Sequence, residues 1–215
     1  MNTGIAKFFK YYPVWVVFVV CFIFFSLSVP NFFSFTNIMT VLKQSSIFGF
    51  IAIGMTFLII SGNFDLSVGS LMAFCGALFI SLQSVNIIFA IIIPFIVAVF
   101  IGFVNGFFVT FVGINPLVVT LSSMIGIRGL IFVYTQEKSI IGKYFIIERI
   151  ANMDILYFPI LGLLFIFITI IFEFILRNTT HGRNCYALGG NELPSQLCGI
   201  QVHMHVMINF VLISI

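Results

Sequence analysis

Charged residues are scarce in this chain of 215 residues: Asp, Glu, Lys and Arg together make up 7% of it, whereas hydrophobic residues make up 61%. An average soluble domain carries about 25% charged residues. This composition cannot cover a water-facing surface, so it predicts an integral membrane protein. The net charge of +3 is small and dispersed along the chain, which excludes nucleic acid as a partner because no basic domain is present to bind it.

Cysteine pairs and catalytic motifs are also missing. The four cysteines are Cys21, Cys75, Cys185 and Cys198. Two of them share a segment with His203 and His205, but structural zinc sites usually bring cysteines in close pairs, so we predict no metal site and no disulfide framework. The sequence contains no Gly-x-x-x-x-Gly-Lys-Ser/Thr, His-Glu-x-x-His or Gly-x-Ser-x-Gly. It therefore predicts no enzymatic activity and no cofactor.

Long apolar runs with short polar breaks fill most of the chain. A membrane helix needs about 20 apolar residues, and about 17 to 25 are tolerated. This length gives six complete spans, at 13–29, 38–61, 67–82, 87–112, 116–135 and 155–176, and a seventh that begins near Met204 and reaches Ile215. We therefore predict an all-α polytopic transmembrane helical bundle that forms a single domain over 1–215.

Basic residues in the loops predict the orientation of these spans. Lys7 and Lys10 precede the first apolar run, which ends without a cleavage site and is read as a retained helix. By the positive-inside rule the N-terminus is cytoplasmic. Six spans then return the segment containing Arg177 and Arg183 to the cytoplasm. The outer loop at 136–154 holds three acidic and three basic residues, including Lys143, which weakens this prediction without reversing it.

Asp65 is the only charged residue between Gln44 and Ile127. It lies in a Gly/Ser-rich break that also contains Asn63. Gly62 supplies the backbone freedom for this break. A carboxylate near the end of a span is costly unless it is solvated or paired. Asp65 either caps the next helix or lines a transport pathway, and both interpretations place it near water.

Two further positions interrupt apolar runs. Arg128 lies deep in an apolar segment, where a guanidinium needs a partner or a water-filled cavity, so we predict that it is internal and paired. Asn115-Pro116 follows Gly113, and we predict a cytoplasmic turn with proline at the first helical position.

The segment 177–203 is the longest predicted cytoplasmic segment and is rich in turn residues. Gly189-Gly190 is expected to interrupt it, after which Asn191 caps a short helix at 192–197 with proline in its first turn. A short capped helix on the cytoplasmic face suits docking to a partner. The residues singled out here are Gly182, Arg183, Gly189, Gly190, Asn191, Glu192 and Gly199.

Several of these segments together resemble a known family. The stretches 54–62, 65–70, 182–183, 186–192 and 198–200 closely resemble the membrane permeases of ribose-type ABC sugar importers, and 115–121 and 128–130 follow in the right order. The resemblance runs from Asn31 to the end of the chain. Three residues differ: family members commonly have Gly-Gly-Ile-Asp where this chain has Gly62-Asn63-Phe64-Asp65, and often Phe where it has His181.

The resemblance implies a permease of the bacterial cytoplasmic membrane for a ribose-like monosaccharide. Two permease chains would form the pathway, an extracytoplasmic sugar-binding protein would deliver the sugar, and cytoplasmic ABC ATPase subunits would drive the cycle. Segment 177–203 would then be the coupling segment that docks on the ATPase, and Asn63, Asp65 and Arg128 are our candidates for the pathway.

Two alternatives remain open at this stage. Related permeases carry an autoinducer-type furanosyl signal, another pentose, a hexose or a nucleoside. The chain could also be a non-transporting truncated fragment, because family members typically continue for several further helices.

Overall fold

The computed structural model describes residues 13–142 and 146–215. Its helices are α1 Pro13–Ser28, α2 Phe35–Ile60, α3 Val68–Leu82, α4 Ile87–Thr110, α5 Pro116–Thr135, α6 Ile146–Ala151, α7 Ile160–Asn178, α8 Thr180–Gly190, α9 Glu192–Leu197 and α10 Val202–Ser214. A two-stranded antiparallel hairpin, β1 Asp154–Ile155 and β2 Phe158–Pro159, precedes α7. The predictions made for Lys7, Lys10 and Lys143 fall outside the described residues.

The predicted helical membrane bundle is confirmed, but the number of complete spans is not. Four helices, α2, α4, α5 and α7, are long and apolar enough to cross a bilayer. The first and third predicted spans correspond to α1 and α3, which have only 16 and 15 residues, and α10 has 13 residues. The protein is thus a multi-pass membrane protein with four full-length helices and three shorter apolar ones among the described residues.

The sixth predicted span begins later than expected because its first residues form the hairpin. Leu156 and Tyr157 connect β1 and β2 with φ angles of 50° and 72°, so both adopt the left-handed conformation. Two consecutive residues with positive φ are typical of a two-residue hairpin turn. The helix α7 therefore starts at Ile160, after Pro159, and not at residue 155.

The largest buried cluster forms where α10 lies against α2 and α4. Leu58 of α2 and Phe210 of α10 are fully buried in it. Small residues allow the backbones to approach closely: a Cβ on Gly102 would lie 2.1 Å from the hydroxyl of Ser214, and one on Gly54 would lie 2.8 Å from the Cα of Ile213. Close backbone approach through small residues is a common mode of helix packing in membranes.

A second cluster joins α3, α4 and α5. Leu71, Ala98 and Ile127, one from each helix, are buried together. A third cluster packs the end of α2 against α7 and α8 through Phe57, Leu176 and Cys185.

The connecting segments gather at the two ends of the bundle. At one end, the break after α2, the turn before α5 and the segment around α9 line a common cavity. We call this the coupling end. At the other end, Phe35 at the start of α2 packs on Tyr157 and Phe158 of the hairpin. We call this the hairpin end.

Candidate functional site

A left-handed glycine turn ends α2 and begins the polar break. Gly62 has a φ of 81°, and its N–H donates to the carbonyl of Ile59 at 3.0 Å. The next N–H, from Asn63, donates to the carbonyl of Leu58 at 2.8 Å. This pair of bonds is the Schellman arrangement, in which a residue with positive φ satisfies the last carbonyls of a helix. The predicted break at Gly62 is confirmed.

Asp65 is buried, contrary to the expectation that it lies near water. The residue as a whole is 2% exposed. Oδ1 accepts hydrogen bonds from the backbone N–H of Ser67 at 2.7 Å and from the Ser67 hydroxyl at 2.6 Å. Burial is tolerated because hydrogen bonds replace the lost hydration of the carboxylate. Asp65 thus holds the residue that precedes the first turn of α3, as an Asx turn does.

The third donor to Asp65 comes from Asn105, a residue that the sequence analysis missed. Asn105 lies in α4 and is 1% exposed. Its Nδ2 donates to Asp65 Oδ2 at 3.3 Å and to the Ser67 hydroxyl at 3.1 Å. Its Oδ1 accepts from the hydroxyl of Ser123 in α5. One amide therefore joins the break to α4 and α5, and the signal that could have revealed it is a lone asparagine deep in an apolar helix.

Asn63 lies two residues from Asp65 but has different surroundings. Its side chain is half-buried and donates to the carbonyl of Ser61 at 3.1 Å. It also lines a cavity of about 290 Å³ at the coupling end, together with Asn115, Glu192 and His203. The structure therefore brings a candidate pathway residue and a candidate coupling residue to the same cavity.

Arg128 does not have the environment that we predicted. Its side chain is exposed on this chain, and its Nε donates to the hydroxyl of Ser70 at 3.3 Å. Within 13–142 and 146–215 it forms no ion pair; the one ion pair found there joins Arg177 and Glu173. Among the described residues no helix covers the face of α5 that carries Arg128, so its predicted internal position is not met within them, and its side-chain partner there is the Ser70 hydroxyl.

The turn at Asn115-Pro116 forms as predicted. The side chain of Asn115 accepts from the N–H of Leu117 at 2.9 Å and so caps α5, with Pro116 at its first position. Proline fits there because its missing N–H would have no helical partner.

The coupling segment, defined as residues 177–203, is more helical than the sequence suggested. Gly189 and Gly190 are the last two residues of α8, so the predicted interruption falls directly after this pair, at Asn191. The predicted short helix is confirmed as α9, and the side chain of Asn191 caps it by accepting from the N–H of Leu193 at 3.2 Å. Gly199 follows α9 with a φ of 83°. The segment is therefore a pair of helices, not a loop.

Gly189 packs against the end of α2, which leaves no room for a Cβ at this position. A Cβ at this position would lie 1.8 Å from the carbonyl oxygen of Ile60, the last residue of α2. A Cβ on Gly182 would likewise lie 2.0 Å from the carbonyl oxygen of Leu176. Gly190, by contrast, has nothing within 4 Å of such a Cβ. The first two glycines thus serve internal packing, while Gly190 and the exposed Arg183 and Glu192 face outward.

A second buried amide, Asn209 of α10, joins the coupling segment to α2. Its Nδ2 donates to the hydroxyl of Ser61 at 3.1 Å and to the carbonyl of Phe57 at 3.3 Å. Its Oδ1 lies 2.9 Å from Nε2 of His181 in α8. The ring of His181 also stacks on Phe57. His181, one of the three residues that depart from the family pattern, therefore takes part in the contact between α8, α2 and α10.

Some of the cysteine and histidine side chains lie close together beside Asn209. His205 contacts His181, with 2.8 Å between their Nδ1 atoms, and Cys185 Sγ lies 3.6 Å from Nε2 of His181. Burial raises the pKa of the Cys185 thiol, which keeps it protonated. Cys198 is exposed and His203 stacks on Phe111. The described residues contain no group of three or more His, Cys, Asp or Glu side chains placed to hold a metal ion.

These features define a helical membrane protein with two buried amide networks and a helical segment at one end. The chain belongs to the family described as branched-chain amino acid transport system / permease component, whose profile matches residues 37–215. The resemblance to a permease family that the motifs indicated is thereby confirmed.

Its relatives include permeases of several sugars. The chain is 34% identical over 180 residues to the ribose import permease protein RbsC of Haemophilus influenzae, covering 81% of this chain and 56% of that protein. It is 36% identical over 215 residues to the L-arabinose transport system permease protein AraH of Escherichia coli, covering 94% and 62%. The D-allose transport system permease protein AlsC of Escherichia coli is 28% identical over 211 residues, covering 94% and 63%.

The chain thus spans between 56% and 63% of the length of these relatives. No solved structure matches it.

Proposed function

We propose that this chain is the permease subunit of an ATP-binding-cassette importer and that, with a second permease chain, it forms the translocation pathway for a ribose-like monosaccharide. The observation that carries this proposal is the 34% identity to a ribose import permease over 81% of the chain. ATP is hydrolysed by a separate cytoplasmic ATPase subunit, and an extracytoplasmic sugar-binding protein delivers the sugar.

The polar groups at the coupling end support a neutral, hydrogen-bonding solute. The cavity that Asn63 lines also holds the amide of Asn115 and the hydroxyl of Thr110, and Glu192 is its one acidic side chain. Sugars need several hydrogen bonds and no charge of opposite sign, so amide and hydroxyl groups suit them. We assign Asn63 to the inner part of the pathway. Arg128 belongs to the exposed face of α5, which is available to the pathway or to the second permease chain.

Asp65 has an indirect role in this proposal. Because its carboxylate is bound by Ser67 and Asn105, it does not reach a passing sugar. It instead fixes the angle between the break and α3, next to Asn63.

The coupling segment, residues 177–203 within the permease domain, is proposed to dock on the ATPase. Its outward groups, Arg183, Gly190 and Glu192, are accessible to a partner, while Gly189 and His181 attach it to α2. A rigid helix pair that is anchored in this way transmits a displacement of the ATPase to the membrane helices.

The orientation follows from this docking. We propose six membrane spans, α1 to α5 and α7, a seventh that begins at α10, and a cytoplasmic N-terminus and coupling end.

Cys198 is exposed beside α9. In intact cells of a variant in which Cys21, Cys75 and Cys185 are serine, a membrane-impermeant maleimide is expected to leave Cys198 unlabelled until the cells are opened. Labelling from outside would reverse the proposed orientation.

Uptake measurements test the transport function directly. The full protein is expressed with its ATPase and binding protein in cells that lack their own ribose permease, and uptake of labelled D-ribose is measured. We expect accumulation that requires ATP and the permease. Uptake no higher than in cells with the ATPase and binding protein alone would refute the assignment to ribose.

A second candidate solute class is other aldoses, because permeases of L-arabinose and D-allose are also similar to this chain. L-Arabinose and D-allose are therefore tested beside D-ribose. The sugar with the highest ratio of maximal rate to KM identifies the substrate.

A further inference from the structure

A second polar cavity lies at the hairpin end, away from the coupling segment and from Asn63, Asp65 and Arg128. It has a volume of about 320 Å³ and opens between the start of α2 and the hairpin. Ligand pockets usually have volumes of about 300–1,000 Å³, so this cavity is large enough for a small molecule. None of the residues that line it took part in the sequence-based site prediction.

Aromatic rings and hydroxyl groups both line this cavity. Phe35 and Tyr157 pack edge to face with 6.5 Å between their ring centroids. Thr36 and Thr40, one turn apart on α2, supply two hydroxyl oxygens, and the Thr40 hydroxyl donates within its own helix, to the Thr36 carbonyl at 2.8 Å. The Thr40 oxygen can therefore still accept a hydrogen bond.

The cavity is lined by charged residues of both signs. It contains one cation, Lys43, and one carboxylate, Asp154. The ammonium of Lys43 donates to Oδ1 of Asn152, so the Nδ2 of Asn152 remains available as a donor. With one charge of each sign, the lining selects neither anions nor cations, and it favours a neutral ligand that both donates and accepts hydrogen bonds.

Tyr157 of the hairpin, whose side chain lines the cavity, has an unfavourable backbone conformation. Tyr157 is 78% exposed and has a φ of 72°, and the preceding Leu156 is 84% exposed with a φ of 50°. Asn and Gly usually occupy such two-residue turns. Bulky residues are unfavourable in the left-handed region, and such strain is concentrated at ligand sites.

A monosaccharide fits this combination. Its hydroxyl groups donate to and accept from threonine, asparagine and aspartate side chains, and its C–H face packs against an aromatic ring. We propose that the cavity formed by Phe35, Thr36, Thr40, Asn152, Asp154 and Tyr157 is a monosaccharide subsite at the entrance of the permease. The choice of monosaccharide as the ligand class rests on the proposed transport function.

Binding to the isolated permease tests this subsite. The full protein is placed in phosphatidylcholine nanodiscs, which contain no sugar detergent, and D-ribose, L-arabinose and D-allose are titrated with saturation-transfer NMR. We expect Tyr157→Asn to weaken binding of the preferred sugar at least tenfold. The matched control is Leu156→Asn: asparagine tolerates positive φ at both positions, both side chains are exposed, and only Tyr157 lines the cavity. Leu156→Asn is therefore expected to bind as the unmodified protein does.

A second variant and a competition experiment distinguish a sugar subsite from a lipid-headgroup site. Thr36→Val keeps the side-chain shape but removes a hydroxyl, and we expect it to weaken binding severalfold without loss of expression. Equal affinities for Tyr157→Asn and Leu156→Asn, or no binding of any of the three sugars, would overturn the subsite. Displacement of the sugar by phosphocholine at the same concentration would assign the cavity to a lipid headgroup and would also overturn it.

Uptake by the assembled transporter distinguishes failure of the subsite from failure of the transport function. If the subsite is correct, Tyr157→Asn raises the KM for uptake and leaves the maximal rate unchanged. An unchanged KM in a transporter that does import the sugar contradicts the subsite alone. Binding without any uptake contradicts the transport function alone.

Discussion

Gly189→Ala is expected to separate α8 from the end of α2 and to abolish uptake. The added Cβ would lie 1.8 Å from the carbonyl oxygen of Ile60 and 3.0 Å from its carbonyl carbon. Both atoms belong to the backbone, so no side-chain rotation relieves the overlap. Overpacking typically costs about 1–3 kcal/mol, and we expect the upper end of this range. The thermal stability of the detergent-purified protein and the rate of sugar uptake measure the effect.

The neighbouring glycine provides the matched control for stability. Gly190 lies in the same last turn of α8, yet a Cβ there would meet nothing within 4 Å. Gly190→Ala should therefore keep the thermal stability of the unmodified protein, and any loss of ATPase co-purification that it causes reports on the docking surface itself. Gly76→Ala in α3, which also has open space, is the control for uptake. Equal stability of the Gly189→Ala and Gly190→Ala proteins would show that α8 does not depend on this contact.

Asn105→Leu is expected to be the most damaging change in the membrane-spanning part. Leucine has a similar size but removes the donor to the Asp65 carboxylate and the acceptor of the Ser123 hydroxyl. A hydrogen bond to a charged group contributes about 1.5–3 kcal/mol, and a buried carboxylate that loses a partner retains its desolvation cost. We expect a loss of about 3 kcal/mol, measured by unfolding in a series of detergent mixtures, and uptake below a tenth of normal.

Two adjacent serines give this prediction its control. The Ser123 hydroxyl donates to Asn105, whereas the Ser122 hydroxyl donates to the carbonyl of Val118 in its own helix. Ser123→Ala should therefore lower stability by about 1 kcal/mol, and Ser122→Ala should not change it. In a double-mutant cycle, Asp65→Ala and Asn105→Leu should couple by about 1–3 kcal/mol. Additive effects would mean that the two side chains do not interact.

Local sequence signals predicted the ends of several helices. The break at Gly62, the cap at Asn115 and the short helix after Asn191 all depend on bonds between residues within a few positions of each other. Such bonds can be predicted from the residue types alone because the chain brings their partners together.

Contacts between distant segments account for the features that the sequence analysis did not predict. Asp65 is buried because Asn105 reaches it from another helix, 40 positions away in sequence. The local pattern predicted the interruption after Gly189-Gly190, but not the contact of Gly189 with Ile60, which lies far away in sequence. Arg128 is exposed because no helix covers its side of α5 in the described residues. Spacing along one chain cannot reveal which helix will face a given residue.

The two buried asparagines divide the helices into two groups. Asn209 binds α2, α8 and α10 together, and Asn105 binds α4 and α5 to the start of α3. Across the described residues, no side-chain hydrogen bond connects α10 to α4; their contact is made at Gly102 and Gly106 instead. Within the described part of the chain, the two groups are therefore held together by close apolar packing over these glycines, without a side-chain hydrogen bond between them.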